Sequence, residues 1–170
     1  MMILIAYASR HGGTREIAEK IADHLEKDGF KVRVSDVGRV GDISDYEAVI
    51  LGSAVYLGQW QKKAVRFVKK HAGKLTGKKV WIFSSGPTGE GDPVTLLNGW
   101  KIPGKLTAFM EEIGPEDIAV FHGVVIREKL GGLARFMIDK VESPVGDYRD
   151  WQMISNWAEQ IGKSLKDYNL

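Results

Sequence analysis

Along the chain, short unbroken apolar runs alternate with stretches whose apolar positions recur every three or four residues, which predicts strands and helices in turn. Met2 to Tyr7 is the first run, and its lack of polar alternation suits a parallel strand buried on both faces. From Thr14 the period changes. Ile17, Ala18, Ile21, Ala22 and Leu25 share one helical face, Glu16, Glu19, Lys20, Asp23 and Lys27 fall between them, and Asp28-Gly29 ends the helix. Val32, Val34 and Val37 mark a second strand, and Ala48 to Ser53 is a third run with a Gly-Ser end. Lys62 to His71 sets Ala64, Val65 and Val68 opposite a row of cations and reads as a helix. Lys79 to Ser85 predicts the fourth strand and Ile118 to Val125 the fifth. Between them, Leu106, Phe109, Met110 and Ile113 make a short helix after Pro103, closed by Gly114-Pro115. A last helix starts near Asp150, with Ile154, Trp157, Ala158 and Ile161 as its buried stripe.

Strands alternating with helices imply an α/β fold, a five-stranded parallel sheet with helices on both faces, because right-handed crossovers leave few other packings. With 170 residues, 44% of them hydrophobic, the chain can bury one sizeable core, so 1–170 is expected to be a single domain. No apolar run reaches the length of about 18 residues that a spanning helix needs, and the start carries no signal-peptide pattern, so a cytoplasmic protein is expected. The absence of cysteine excludes disulfides, thiolate chemistry and Cys-type metal sites. Any redox chemistry must therefore come from a bound cofactor. His11, His24, His71 and His122 show no metal-ligand spacing, Ser84-Ser85-Gly86 lacks the setting of a nucleophile elbow, and no acid/base pair stands out. No metal is expected, and no residue is assigned a catalytic role.

Sheets of this kind bind ligands outside the carboxyl ends of their strands, where strand order switches. The candidate site is thus the set of corners at Ala8 to Thr14, Gly52 to Trp60 and Ser84 to Val94. In the first, Ser9, Arg10, His11 and Thr14 offer polar donors. Gly12 and Gly13 admit close backbone approach, and the following helix points its free N–H groups into the loop. Such a corner suits an anion; the plainer reading is a tight turn that needs glycine for geometry alone. The dinucleotide fingerprint G-x-G-x-x-G is absent, and Gly73 to Lys79 has the wrong spacing for a P-loop. A receiver domain would need acidic residues where this chain has Tyr7, Ala8 and Ser9. A phosphate monoester remains.

At these residues the chain resembles a known family. "YASRHGGT" is similar to the flavodoxin phosphate loop, a hydroxyl-rich run of the type S/T-x-T-G-x-T, with Arg10 and His11 standing where typical flavodoxins carry hydroxyl residues. The resemblance implies a three-layer α/β/α sandwich with strand order 2-1-3-4-5 and FMN at the switch point. It assigns the phosphate to Ser9, Arg10, His11, Gly12, Gly13 and Thr14. "LGSAVYLGQW" takes the place of the loop over one flavin face, giving Ser53, Ala54, Val55, Tyr56 and Trp60 as candidate contacts. "SSGPTGEGDP" takes the place of the other, giving Ser85, Gly86, Pro87, Thr88 and Gly89. Tyr56 and Trp60 would stack on or flank the ring, although Trp60 reads equally as a core residue opening the next helix. Within the superfamily the chain looks nearest to the menaquinone-dependent protoporphyrinogen oxidases, through "SRHGGTREIA", "GSAVYLGQWQKKAVRFVKKHAGKL", "RFMIDKV" and "RDWQMISNWAEQI". This implies an FMN-dependent oxidoreductase acting on protoporphyrinogen or a quinone-coupled substrate. An electron-transfer flavodoxin and a cofactor-free binding module are the alternatives. Arg127 to Arg149 fills the interval of that family's long insertion but is shorter. Its stripe of Leu133, Phe136, Met137 and Val141 could cap the flavin, meet a quinone or a membrane, or pack on the body, which is the commoner outcome.

Charge modifies this picture. Between Ala48 and Gly89 there is no Asp or Glu, but Lys62, Lys63, Arg66, Lys69, Lys70, Lys74, Lys78 and Lys79 are all present, within a net charge of +2. Flavodoxins that shuttle electrons are acidic, so this excess argues against a plain shuttle. It reads as a solvated helix face, or as a surface for an acidic protein partner or an anionic membrane. Nucleic acid is disfavoured, because aromatics are not interleaved with the cations.

Overall fold

The computed structural model describes residues 1–129, 131–140 and 144–168. In chain order the elements are β1 (Met2–Ala8), α1 (Gly13–Lys27), β2 (Lys31–Asp36), β3 (Ala48–Tyr56), β4 (Gln59–Trp60), α2 (Lys62–Leu75), β5 (Lys79–Ser85), α3 (Pro93–Leu96), α4 (Thr107–Ile113), β6 (Asp117–Phe121), β7 (Val124–Val125), α5 (Gly132–Lys140), β8 (Gly146–Asp147) and α6 (Trp151–Tyr168). The unbroken apolar runs become strands because both faces of the sheet are covered. Leu4, Ala6, Val49, Leu51, Val80 and Ile82 pack with α2 and α4 on one side. Ile3, Ile5, Ala48, Ile50, Trp81 and Phe83 pack with α1 and α6 on the other. Each fully buried aliphatic side chain contributes about 1.5–3 kcal/mol, so the two layers together carry the fold.

The main sheet runs β2-β1-β3-β5-β6, all parallel, and counting these strands alone its order is the expected 2-1-3-4-5. Register brings Ile5 beside Ile50 and Ala8 beside Ser53, so the corners after β1 and β3 emerge side by side at the same edge. Gly52 sits where a Cβ would meet the Phe83 ring at 2.0 Å, which is why the third strand narrows to glycine before its corner. Phe83, Phe121 and Trp157 then close the α6 side of the sheet with ring centroids 5.4–6.1 Å apart.

Several boundaries differ from the periodicity. Val37 is buried but lies past β2, in a 3₁₀ turn where the Asp36 carboxylate accepts from the Gly38 N–H at 2.8 Å. The third strand continues to Tyr56 and folds back antiparallel as β4, a hairpin whose two residues are too few to show alternation. The fifth run is split: β6 ends at Phe121, and His122-Gly123 turns the chain toward the loop after β5. A Cβ on Gly123 would fall 2.9 Å from the Gly86 carbonyl oxygen, so only glycine allows that approach. The β7–β8 pair and the one-turn α3 carry no periodic signal. On α5, Leu133 is 80% and Phe136 is 62% exposed, so these two do not pack on the body as expected. The side chain of Met137, and Val141, lie outside the described residues. Among the described residues no helix is long and apolar enough to cross a membrane.

Candidate functional site

The corners after β1, β3 and β5 meet in one cleft. It is lined by Ser9, Arg10, His11, Gly13, Thr14, Ala54, Val55, Tyr56, Ser85 and Gly86, and by Gly123, Val124 and Val125. The cleft measures about 400 Å³ with its open mouth.

At the first corner the backbone is folded by its own residues. The Ser9 hydroxyl accepts from the Gly12 N–H at 3.0 Å. Gly12 adopts φ 97°, a left-handed value, and α1 begins at once, with the Glu16 N–H donating to the Gly12 carbonyl at 3.0 Å. No side chain caps this helix. Its first-turn N–H groups, which have no intrahelical acceptors, are directed toward the loop. Glu16, the acid of that first turn, is held by Arg149 at 2.6 Å, so its charge is countered beside a position suited to an anion. The Arg149 guanidinium, 6% exposed, also binds Asp147 at 2.6 Å and donates to the Gly13 carbonyl. Its hydrogen bonds hold the Asp147 carboxyl below the usual carboxylate range, and Asp147 followed by Glu16 strengthens the guanidinium's hold on its proton.

A phosphate monoester fits this cradle. Ser9 and Thr14 supply hydroxyls and Arg10 a guanidinium along the cleft wall, and close approach is built in by glycine. A Cβ on Gly13 would meet Val124 Cγ1 at 2.6 Å, and one on Gly86 would meet Val55 Cβ at 2.9 Å. A phosphate-sized group would sit against the first corner, and a ring system would occupy the open mouth between the second and third corners.

The second corner is built differently. The buried Ser53 hydroxyl accepts from the Gln61 N–H at 3.1 Å and donates to the Ala54 carbonyl. Trp60 is 3% exposed; its Nε1–H donates to the Ser84 hydroxyl at 2.8 Å, which in turn donates to the Lys101 carbonyl at 2.6 Å. Neither Ser53 nor Trp60 lines the cleft, and Trp60 is buried, as its core reading expects. Tyr56, 39% exposed, stands at the mouth with the Arg10 guanidinium 5.6 Å from its ring centroid. Burial pushes its phenol up, and Arg10 opposes that shift. At the hairpin tip Leu57 and Gly58 both take positive φ, 49° and 68°, as a two-residue turn between twisted strands requires.

At the third corner Ser85 and Gly86 line the cleft, whereas Pro87, Thr88 and Gly89 run on beyond it. The Pro87 carbonyl accepts from the Gly123 N–H at 2.9 Å and faces His122 Nδ1 at 3.1 Å, which ties the loop to the end of β6. Gly123, Val124, Val125 and Arg149 were not foreseen as site residues. The one signal available was the long interval between the fifth strand and the last helix.

The family model for the flavodoxin domain matches residues 4–152. The protoporphyrinogen IX dehydrogenase (quinone) of Escherichia coli strain K12 is 26% identical over 172 residues, covering 95% of this chain and 94% of that protein. Among solved structures, a flavodoxin from the domain Archaea superposes with a TM-score of 0.67 at 17% identity, over 98% of this chain and 99% of that one. The rubredoxin oxygen:oxidoreductase of Desulfovibrio gigas gives a TM-score of 0.63 at 16% identity, over 98% of this chain and 36% of that one. These two likenesses concern the fold.

Proposed function

Because this chain belongs to the flavodoxin domain family, we propose that it is an FMN-dependent oxidoreductase. The observation that carries the reading is the first corner. There Ser9, Thr14, Arg10 and the opening of α1 converge on a glycine-lined recess at the switch point between β1 and β3. Ser9, Thr14 and the backbone of Gly12-Gly13 would hold the phosphate, with Arg10 supplying countercharge. Ala54, Val55 and Tyr56 would border one side of the ring, and Ser85 and Gly86 the other. Bound FMN supplies the redox chemistry. The protein binds it, limits water on the walled side, and leaves the Tyr56 edge open to a redox partner. The relative from Escherichia coli, similar over nearly its whole length, supports protoporphyrinogen or a quinone-coupled substrate as the reactant.

Purified protein is expected to bind FMN, show flavin absorption bands and gain thermal stability on loading. Loaded protein that neither oxidises protoporphyrinogen nor reduces quinones would sink the substrate assignment. An electron-transfer role is the second reading, favoured by the flavodoxin architecture over the full chain. It predicts rapid exchange with small redox proteins and no turnover of organic substrates. A colourless protein indifferent to FMN would leave only a binding module.

A further inference from the structure

The cationic stretch from Lys62 to Lys79 divides in the fold. Lys63 is paired with Asp36, Lys74 with Asp42 and Lys79 with Glu116. Lys62, Arg66, Lys69 and Lys70 stand exposed on the outer face of α2, with no ion pair among the described residues. Lys62 and Arg66 are one helical turn apart, a like-charge spacing that weakens a helix, and α2 carries no acid to relieve it. Both open onto a second, wider depression of about 790 Å³ with its open mouth, lined also by Gln59, Trp60, Gln61, the ion-paired Lys63 and one side of Tyr56. Tyr56 lines the first cleft as well. One aromatic side chain thus separates the proposed flavin mouth from a recess with apolar and amide walls and two uncompensated cations.

We propose that this recess is the seat of an organic anion, an electron donor or acceptor with a flat apolar body and a carboxylate or similar acidic group. The body lies against Tyr56 beside the flavin mouth, and the acidic group is held by Lys62 and Arg66. The inference rests on the FMN reading for its purpose but not for its binding. Lys62 and Arg66 here are specificity-determining residues that orient the substrate by its charge, and Gln59 and Gln61 offer the remaining donors.

The test pairs naphthoate with naphthamide, alike in ring and different in charge, in an NMR titration of the full chain. Naphthoate is expected to bind more tightly and to shift the amide signals between Tyr56 and Arg66. Lys62→Ala/Arg66→Ala should weaken it by about fivefold or more, the scale of two exposed ion pairs. Lys69→Ala/Lys70→Ala removes the same charge from the same helix away from the recess and should change its affinity by less than about twofold. Equal affinity for the two probes, or equal losses in the two double variants, overturns the seat; the latter is what a diffuse surface for an acidic protein or an anionic lipid would give. In a second arm, pre-reduced FMN-loaded protein is reoxidised by a naphthoquinone sulfonate and by an uncharged methylnaphthoquinone. The ratio of the charged to the uncharged rate should fall in Lys62→Ala/Arg66→Ala and hold in Lys69→Ala/Lys70→Ala. A protein that binds no FMN defeats the proposed function while the titration still decides the seat. A loaded protein whose rate ratio ignores Lys62 and Arg66 defeats the seat and leaves the function standing.

Discussion

The corners after β1 and β3 emerge side by side from neighbouring strands, and both carry small and hydroxyl residues, yet they spend their polar groups in opposite ways. After β1, Ser9 satisfies one backbone N–H while Thr14, Arg10 and the helix start face a recess. After β3, the buried polar groups of Ser53 and Trp60 are taken up by the Ala54 carbonyl, the Gln61 N–H and the Ser84 hydroxyl of β5, which itself donates to the Lys101 carbonyl. A buried donor without a partner costs far more than a made bond returns, so a corner is either closed on itself or built for something that completes it. The first corner belongs to the second kind.

The sharpest way to separate the two is to cut each where it is strongest. Trp60→Ala removes a buried aromatic and leaves the Ser84 hydroxyl without its donor. It should cost about 3–5 kcal/mol of unfolding free energy, read by chemical denaturation of the apo protein. If that variant is stable but binds no FMN, the comparison is reversed. Ser9→Ala with Thr14→Val should do the opposite. FMN affinity should fall by about 3 kcal/mol, roughly a hundredfold, from lost bonds to a charged phosphate, while the apo protein loses only about 1 kcal/mol, from the Gly12 N–H that Ser9 no longer accepts from. Unchanged FMN affinity in this double variant would show that the corner is only a turn. Ser84→Ala leaves the Trp60 N–H buried and unanswered and should cost about 1–3 kcal/mol, again in the apo fold.

The smallest effect sharpens the contrast from outside the cleft. His71 on α2 is 4% exposed, stacks on Phe67 at 4.6 Å, and its Nε2 finds no hydrogen-bond partner among the described residues. Burial, followed by the charges of Lys70 and Lys74, lowers its proton affinity below the ordinary histidine value. The unfolded chain therefore binds a proton that the folded chain resists. Stability is full above the unfolded value of about 6.5 and falls as the pH drops below it toward the folded value. His71→Phe should flatten that acid limb in a series of melting temperatures against pH; an unaltered limb would place its cause elsewhere.

Much of the fold is legible in the sequence. The buried stripe of α1 and its end at Asp28-Gly29, the span of β5 and the buried face of α6 follow from patterns that repeat within a few residues. The corner proposed to hold the phosphate could be picked out for the same reason, since its donors, its glycines and its helix start are contiguous. The β4 return, the break at His122-Gly123 and the exposure of Leu133 and Phe136 were not, because two-residue strands carry no period and a stripe does not say whether a surface exists to receive it.

By itself, then, the sequence determined which segments become strands and helices and which corner offers donors to an anion. Both depend on periodicity and chemistry between near neighbours. Only the tertiary structure decided that Ser53 and Trp60 are spent on structure, that Val124 walls Gly13, and that Arg149 holds Glu16. Trp60 meets a residue 24 positions away and Arg149 one 133 positions away. Whether a polar group is free for a ligand is a property of such distant partners, which exist only once the strands have paired.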